Sequence, residues 1–180
     1  GTSSRMLPKS LGGFTVGVLV QTNFGGVLEI NGVPIAKELQ KYPYKDKILN
    51  DADGSCMIVV LTDAPLNARN LERLAKRAML GLAKTGGIAS NGSGDYVIAV
   101  STAKENLIPY QSDSMFNKKN ELRNDDMSPL FLATIESTEE AILNSLFAAE
   151  TMTGIDGHSI ESLPIDKVLE LMRIYNKIKN

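Results

Sequence analysis

The apolar run at 56–62 constrains the fold most, because it contains no charged residue and is bounded by polar residues on both sides. Such a run is typical of a strand in the centre of a sheet. It follows a polar lead and the bond between Gly54 and Ser55. A turn leading into a buried strand is the common explanation for this order of residues. Asp63 and Pro65 come next, and they predict a helix start with Asp63 as its cap.

Composition excludes several classes of function. The chain has 180 residues, of which 43% are hydrophobic and 22% charged, so one domain spanning 1–180 is expected. A net charge of −2 without a basic stripe argues against a nucleic-acid partner. One cysteine and one histidine cannot form a disulfide or a Cys/His zinc site, so we expect no metal and no cofactor. No apolar run approaches the ~20 residues of a membrane span, and we expect a cytoplasmic protein without membrane contact.

Further strands and loops follow from local patterns. The β-branched apolar segment 15–22 predicts a strand covered on both faces, and 96–102 predicts another. Asn31-Gly32 tolerates the positive φ angles of a type I′ turn, so a hairpin is expected there, with Pro34 on an edge arm. Residues 1–13 and 36–54 are expected to be loops. Residues 103–127 are polar and aperiodic, which predicts a long surface excursion.

Three helices are predicted from apolar residues at helical spacing. The first runs from about Asp63 to Gly86-Gly87, which end it. The second spans 129–152 and ends at Gly154, and the third spans 165–178. The order of elements therefore predicts an α+β arrangement in which helices cover a sheet. The predicted buried stripes are, in chain order, Leu71, Leu74, Ala75, Ala78 and Leu82; Ile135, Ile142, Leu143, Leu146 and Phe147; and Val168, Leu171, Met172 and Tyr175.

The sequence does not support a Ser/His/Asp triad, a cysteine nucleophile or a nucleotide-binding glycine motif. A Ser/His/Asp triad would need His158, which lies in a glycine-flanked loop and is expected to be a surface histidine. Cys56 is expected to be a buried small hydrophobe because an apolar run follows it. The glycine segments Gly25-Gly26 and Gly92-Ser93-Gly94 lack the spacing of a P-loop or a dinucleotide fingerprint.

A serine can act without histidine if its own α-amino group is the base. An α-amine has a pKa of ~7.7 to 8.0, so a useful fraction is neutral near pH 7. Ser55 would carry such an amine only if the bond after Gly54 were cleaved. Glycine at position 54 has no side chain to obstruct attack by the Ser55 hydroxyl on the Gly54 carbonyl, and it permits a strained backbone.

Several segments in the same order resemble one family. They are TVGVLVQTN at 15–23, GSCMIVV at 54–60, TDAPL at 62–66, ARNL at 68–71, SNGSGDY at 90–96 and AETMTG at 149–154, with Leu163-Pro164. Together they resemble the DmpA-type family of L-aminopeptidase/D-esterases and β-peptidyl aminopeptidases, nearly from end to end.

The resemblance implies part of an αββα four-layer sandwich, as in the N-terminal-nucleophile hydrolases. It also implies autoproteolysis between Gly54 and Ser55, with 1–54 ending one subunit and 55–180 forming the other. Gly1-Thr2-Ser3-Ser4 resembles an interior stretch of the family, so the chain is expected to be the C-terminal half of a larger protein. The remaining N-terminal part would then be a partner, and a homo-oligomer, specifically a tetramer, is expected.

The resemblance also assigns roles within the site. Ser55 matches the nucleophile, Ser93 a serine that contacts it, and Asp95 the carboxylate that orients it and holds the developing positive charge. Asn23 matches the amide that stabilises the oxyanion. By the residues alone, Ser93 and Asp95 are equally a polar turn before a strand, and Asn23 a strand-end residue.

The expected function is a serine aminopeptidase that releases N-terminal residues from short peptides, amides or esters through an acyl-enzyme on Ser55. One alternative is a related N-acyltransferase, although relatives that resemble ornithine acetyltransferase use threonine as the nucleophile. The other is a non-catalytic fragment or pseudoenzyme that serves assembly. Preference for L, D or β residues and the role of 103–127 stay open at this point.

Overall fold

A computed structural model describes residues 1–42, 54–116 and 119–179. Its centre is a four-stranded sheet covered by two long helices. The strands of the sheet are β1 (Thr2–Met6), β2 (Thr15–Asn23), β3 (Ser55–Thr62) and β4 (Tyr96–Ser101). The helices are α1 (Ile35–Glu38), α2 (Ala68–Lys84), α3 (Ser128–Phe147) and α4 (Ile165–Ile174), and a small second sheet consists of β5 (Met152–Thr153) and β6 (Ser159–Ile160).

The sheet has the order β1-β2-β3-β4. β1 and β3 both pair antiparallel with β2, while β4 runs parallel to β3. A parallel pair needs a crossover connection, and α2 supplies it. The prediction that 56–62 forms an inner strand of the sheet is confirmed, and so is the strand predicted at 96–102.

The two long helices lie on one face of the sheet, with α3 against β1 and β2 and α2 against β3 and β4. They approach each other closely at Gly81, where a Cβ atom would lie 2.6 Å from the Cβ of Thr138. This packing explains why α3 buries small and hydroxyl residues as well as the predicted Ile142. Its buried residues are Leu130, Ala133, Thr134, Ser137, Thr138, Ala141 and Ile142.

The opposite face of the sheet, here called the open sheet face, is apolar and exposed among the described residues. Tyr96 and Ile98 of β4 are 63% and 56% exposed. Leu19 of β2 is 49% exposed, so the prediction that 15–22 is covered on both faces is wrong in this structure. The helices bury only the alternate residues of β2, because successive side chains point to opposite faces. The large exposed apolar side chains of the open sheet face are Met6, Leu19, Met57, Leu61, Tyr96, Ile98 and Val100.

The predicted loop at 1–13 is wrong over its first part, where β1 forms the polar edge of the sheet. Ser3 and Arg5 both bond to Glu140 of α3, and Arg5 also pairs with Glu136 at 3.1 Å. β1 is therefore held against α3 by polar side chains. It lacks the alternation of apolar and polar residues by which a strand is usually recognised in a sequence. The hydrogen bond to Glu140 raises the pKa of the Arg5 guanidinium, and the hydrogen bonds from Ser3 and then from Arg5 lower the pKa of the Glu140 carboxyl.

Several element ends also differ from the predictions. Asp63 does not cap α2; its Oδ1 accepts the N–H of Thr15, and Asn67 is the cap, accepting the N–H of Asn70 at 2.8 Å. Gly86 does end α2, with φ of 89°. α3 ends at Phe147, before the predicted stop at Gly154, and α4 ends at Ile174 rather than 178.

Outside the main sheet, the turn predicted at Asn31-Gly32 is present. Their φ angles are 49° and 76°, and Ile30 and Val33 exchange both backbone hydrogen bonds across it. The second arm is not an edge strand, because the chain passes through Pro34 into α1. The predicted connection 36–54 therefore begins with a helix, and 43–53 lie outside the described residues. The described part of 103–127 is largely exposed, as predicted. No helix in the described ranges has both the length and the hydropathy to cross a membrane.

Candidate active site

Ser55 is the first residue of β3 and lies directly opposite Asn23, the last residue of β2. Cys56, two residues before the buried Ile58, faces the helices. Because side chains alternate along a strand, Ser55 and Asn23 face the other way, toward the open sheet face. The structure therefore brings the predicted nucleophile and the predicted oxyanion amide together at one end of the sheet.

Asp95 precedes β4, and its two carboxylate oxygens bond in different directions, one to the neighbouring strand β3 and one to its own loop. Oδ1 accepts the backbone N–H of Cys56 at 2.9 Å, and Oδ2 accepts the hydroxyl of Ser93 at 2.5 Å. A carboxylate held by two donors has a fixed orientation. The negative charge is thereby placed one residue from Ser55.

Gly94 makes the direct contact with Ser55, the predicted nucleophile. Its backbone N–H donates to Ser55 Oγ at 3.2 Å. A Cβ atom at position 94 would lie 3.0 Å from that same oxygen and 3.2 Å from the Tyr96 ring. Ser93 was predicted to contact the nucleophile, whereas its hydroxyl bonds to Asp95. The contact of the Gly94 amide was not predicted, and the small residue between Ser93 and Asp95 is the sequence signal for it.

Gly54 is also required by its surroundings. Its φ is 150°, in the region that favours glycine. A Cβ atom there would lie 2.3 Å from the backbone oxygen of Asn23 and 2.8 Å from the Cα of Phe24. The residue before Ser55 is therefore pressed against the end of β2, and only glycine fits this approach without displacement.

Cys56 is buried and His158 is exposed in a loop, as predicted. The Cys56 side chain is buried, and burial, with a contribution from the nearby Asp95, raises its thiol pKa to about 11. A thiol with that pKa is protonated at neutral pH and is a poor nucleophile. His158 is exposed next to the small second sheet, where its backbone carbonyl accepts the N–H of Gly154.

A cavity of about 340 Å³ opens beside Asn23, between the end of β2 and the end of α3. Gly25 and Gly26, which fitted no nucleotide motif, form part of its wall. The structure thus gathers Asn23, Ser55, Ser93 and Asp95 at one end of the sheet, next to a cavity. Their individual roles stay predictions.

A family model matches most of the chain. Residues 1–160 match the model of peptidase family S58. This chain belongs to peptidase family S58. The matched range contains the four predicted site residues and the whole of the main sheet.

One protein of known activity and one solved structure are similar to this S58 chain over nearly its whole length. It is 37% identical to the beta-peptidyl aminopeptidase BapA of Sphingosinicella microcystinivorans, across 99% of this chain and 48% of that protein. The crystal structure of the PH0078 protein from Pyrococcus horikoshii OT3 is similar with a TM-score of 0.84 and 43% identity, covering 98% of this chain and 47% of that one.

A third relative identifies the type of fold. The L-aminopeptidase D-Ala-esterase/amidase of Ochrobactrum anthropi is described as a prototype for the serine aminopeptidases and a variant of the Ntn hydrolase fold. Its TM-score is 0.84 at 32% identity, covering 99% of this chain and 48% of that one. The predicted family and the α+β fold, as part of a larger Ntn-hydrolase-type architecture, are confirmed. The chain spans about half the length of the relatives it matches.

Proposed function

We propose that the full-length protein containing this chain is a serine aminopeptidase that acts on short peptides, amides or esters through Ser55. The observation that carries the proposal is the position of Ser55, opposite Asn23 and bonded to the Gly94 amide, with Asp95 held one residue away. The names of the BapA and Ochrobactrum relatives support an aminopeptidase, and membership of a peptidase family supports hydrolysis.

The first step we propose is self-cleavage. Ser55 Oγ attacks the Gly54 carbonyl carbon and the Gly54–Ser55 C–N bond breaks, which converts the amide into an ester as the proton moves from Oγ to nitrogen. Water then hydrolyses the ester and leaves a Gly54 carboxylate and a free α-amine on Ser55. The close packing of Gly54 against the backbone of Asn23 supports this step, because it holds the bond in a conformation that other residues rarely adopt.

The mature site would then use the new amine as the base. The Ser55 amine takes the Oγ proton as Oγ attacks the substrate carbonyl, and it returns the proton to the leaving amine or alcohol. Asn23 would donate its side-chain N–H to the oxyanion, and a fixed donor of this kind contributes roughly 3 to 4 kcal/mol. Asp95 would stabilise the protonated amine, since its carboxylate already reaches the backbone N–H next to Ser55. Water finally releases the acyl group.

We further propose that the open sheet face packs against the remaining part of the same protein, as a second sheet would in an αββα sandwich. The face is apolar, and this chain covers only about half of its relatives. Ile98→Lys in the full-length protein should lower its expression in soluble form or its unfolding temperature, whereas Leu80→Lys, on the exposed side of α2, should not.

The expected homo-tetramer can be measured by light scattering.

The proposed function is tested by the intact mass of the full-length protein. Two pieces split before Ser55 are expected, together with hydrolysis of amino-acid amides; Ser55→Ala should stay whole and inactive, while the exposed Ser112→Ala should behave as wild type. A wild type that stays whole and unlabelled by serine-reactive probes would favour the non-catalytic alternative. Transfer of the acyl group to an added amine in preference to water would favour the acyltransferase.

A further inference from the structure

Three arginines of α2 form a positively charged cluster on the flank of this helix that lies beside α3. They are Arg69, Arg73 and Arg77, and their spacing of four residues places them along one side of the helix. We propose that this arginine cluster binds a small multivalent oxyanion of the phosphate type. The proposed function does not use the cluster, and the proposal holds whether or not Ser55 is catalytic.

Two of the three guanidinium groups are held in place by the neighbouring helix. Cζ of Arg73 and Cζ of Arg77 lie 5.0 Å and 4.0 Å from the centre of the same ring, that of Phe131 in the first turn of α3. Both arginine side chains are half-buried. Stacking on an aromatic ring orients the planar guanidinium and leaves N–H groups at its edge for an anion. A ligand would therefore meet donors that lose little conformational entropy when it binds.

Within the described residues, the hydrogen bonds of the cluster go to neutral oxygens. Nη1 of Arg73 donates to Asn70 Oδ1 at 2.9 Å and also to Asn124 Oδ1. Nη1 of Arg69 lies 3.5 Å from the same Asn124 oxygen. Nη1 of Arg77 donates to the carbonyl of Arg73 at 3.2 Å. Amide and carbonyl oxygens accept hydrogen bonds but carry no net charge, so the positive charges of the cluster are not neutralised by them.

In the part of the chain that the structure describes, no carboxylate oxygen lies within 4.0 Å of these three guanidinium groups. Other cations of the same helix differ in this respect. Lys76 pairs with Glu72 at 2.6 Å, and Lys84 pairs with Glu139. Like charges four residues apart on a helix repel each other and destabilise it. An anion that accepts hydrogen bonds from several guanidinium groups at once would remove this repulsion.

The surroundings favour a small anion over a long one. Asp125 and Asp126 directly follow Asn124 and are exposed, and Glu121 accepts a hydrogen bond from Asn67, the cap of α2. These carboxylates would repel an extended polyanion such as nucleic acid, whereas a small anion can contact the guanidinium groups alone. Several positive charges in one place attract phosphate or triphosphate more strongly than a monovalent carboxylate. The class of ligand is therefore a small anion of the phosphate type.

The arginine cluster is separate from the candidate active site. α2 and α3 cover one face of the sheet, whereas the Ser55 side chain faces the other. Along α3, Phe131 lies in the first turn, and Ser145, which bonds to Thr22 near the end of β2, lies in the last turn. At ~1.5 Å per residue, about 21 Å of helix separate these two positions. An anion bound to the cluster would not contact Ser55.

The test measures anion binding to the full-length protein by calorimetry at constant ionic strength. The probes are sodium triphosphate and sodium phosphate, with sodium acetate as the monovalent comparison. Wild type should bind triphosphate most tightly and acetate not measurably. Arg73→Gln combined with Arg77→Gln should weaken triphosphate binding at least about a hundredfold, because each lost hydrogen bond from a charged donor costs about tenfold. Lys76→Gln combined with Lys84→Gln removes the same charge from the same helix and should weaken it less than about threefold, since these exposed charges are screened.

Two single variants provide the same test if the double arginine variant does not fold. Arg69 is exposed, and Arg69→Gln should weaken triphosphate binding about tenfold. Phe131→Leu keeps all three charges but removes the ring that orients two of them, and it should also weaken binding about tenfold. Thermal unfolding in chloride shows which variants are folded.

Three binding results would overturn the proposal: no triphosphate binding by wild type, equal weakening in the two double variants, or acetate binding as tight as that of triphosphate. Unchanged binding in both single variants would overturn it as well. Competition between triphosphate and an amino-acid amide for turnover would place the anion at Ser55 and would contradict the assigned position. Because binding is measured without turnover, an inactive protein that binds triphosphate through the cluster would overturn only the proposed function.

Discussion

Asn23 and Ser55 are direct partners across the antiparallel pair of β2 and β3, with the backbone of Gly54 pressed against that of Asn23. This pairing places an amide side chain and a hydroxyl on the same face at the same end of the sheet. It depends on two strands that are far apart in the sequence. Four predictions follow from it and from the groups around it, each for the full-length protein.

Asn23→Ala should lower kcat by about 10² to 10³-fold, because it removes a donor to the oxyanion. Asn144→Ala is the control, since it also removes an amide hydrogen bond, to the carbonyl of Thr2, but on the outer part of α3. Steady-state kinetics with an amino-acid amide and thermal unfolding check both. A loss of the same size in Asn144→Ala would contradict the role of Asn23.

Asp95→Asn should slow turnover by about 10²-fold or more without unfolding the protein. The amide that replaces the carboxylate keeps one acceptor oxygen, so it can satisfy Cys56 N–H or Ser93 Oγ–H but not both, and it loses the negative charge. Ser93→Ala leaves the charge in place and should cost less. The kinetics of the two variants give the comparison, and unchanged turnover in Asp95→Asn would refute the assignment.

Gly54→Ala should leave most of the protein uncleaved or should destabilise it. The φ of 150° and the 2.3 Å approach to the Asn23 oxygen exclude a Cβ unless the backbone shifts, and such strain costs about 1 to 3 kcal/mol. Gly154→Ala is the matched control, since its φ is −96° and its Cβ would lie 3.8 Å from the carbonyl oxygen of His158. Intact mass and denaturant unfolding measure the two effects; normal cleavage and stability in Gly54→Ala would contradict the close-packing explanation.

Cys56 should resist alkylation by iodoacetamide at pH 8 in the folded protein and react after unfolding. Its buried thiol has a pKa of about 11, above that of an exposed thiol, so the native state holds the proton more tightly than the unfolded state. This contribution to stability is therefore complete below the unfolded pKa and is lost as the pH rises toward 11. Cys56→Ala should show a weaker loss of stability than wild type between pH 8 and about 11. Rapid labelling of the native protein would contradict the burial.

Strong local patterns made much of the fold predictable. The run 56–62 has no charge and became an inner strand, and the Asn31-Gly32 turn followed from residues that tolerate positive φ. Local patterns gave wrong predictions where contacts with residues distant in sequence determine the secondary structure or the helix cap. β1 is polar and was predicted as loop, yet Arg5 and Ser3 are held by Glu140 of α3, which no local window contains. Likewise, Asp63 bonds to Thr15 across the sheet and leaves the cap of α2 to Asn67.

The sequence by itself determined the family and the residue types of the site: Ser55 after a glycine, with Asn23, Ser93 and Asp95 in motif order. Only the tertiary structure decided how they meet. It put Asn23 opposite Ser55, gave the contact with Ser55 Oγ to the Gly94 amide, and formed the cavity from the ends of β2 and α3. The physical reason is that residue types follow from the chain's own order, whereas register, backbone donors and cavities arise only when distant segments pack together.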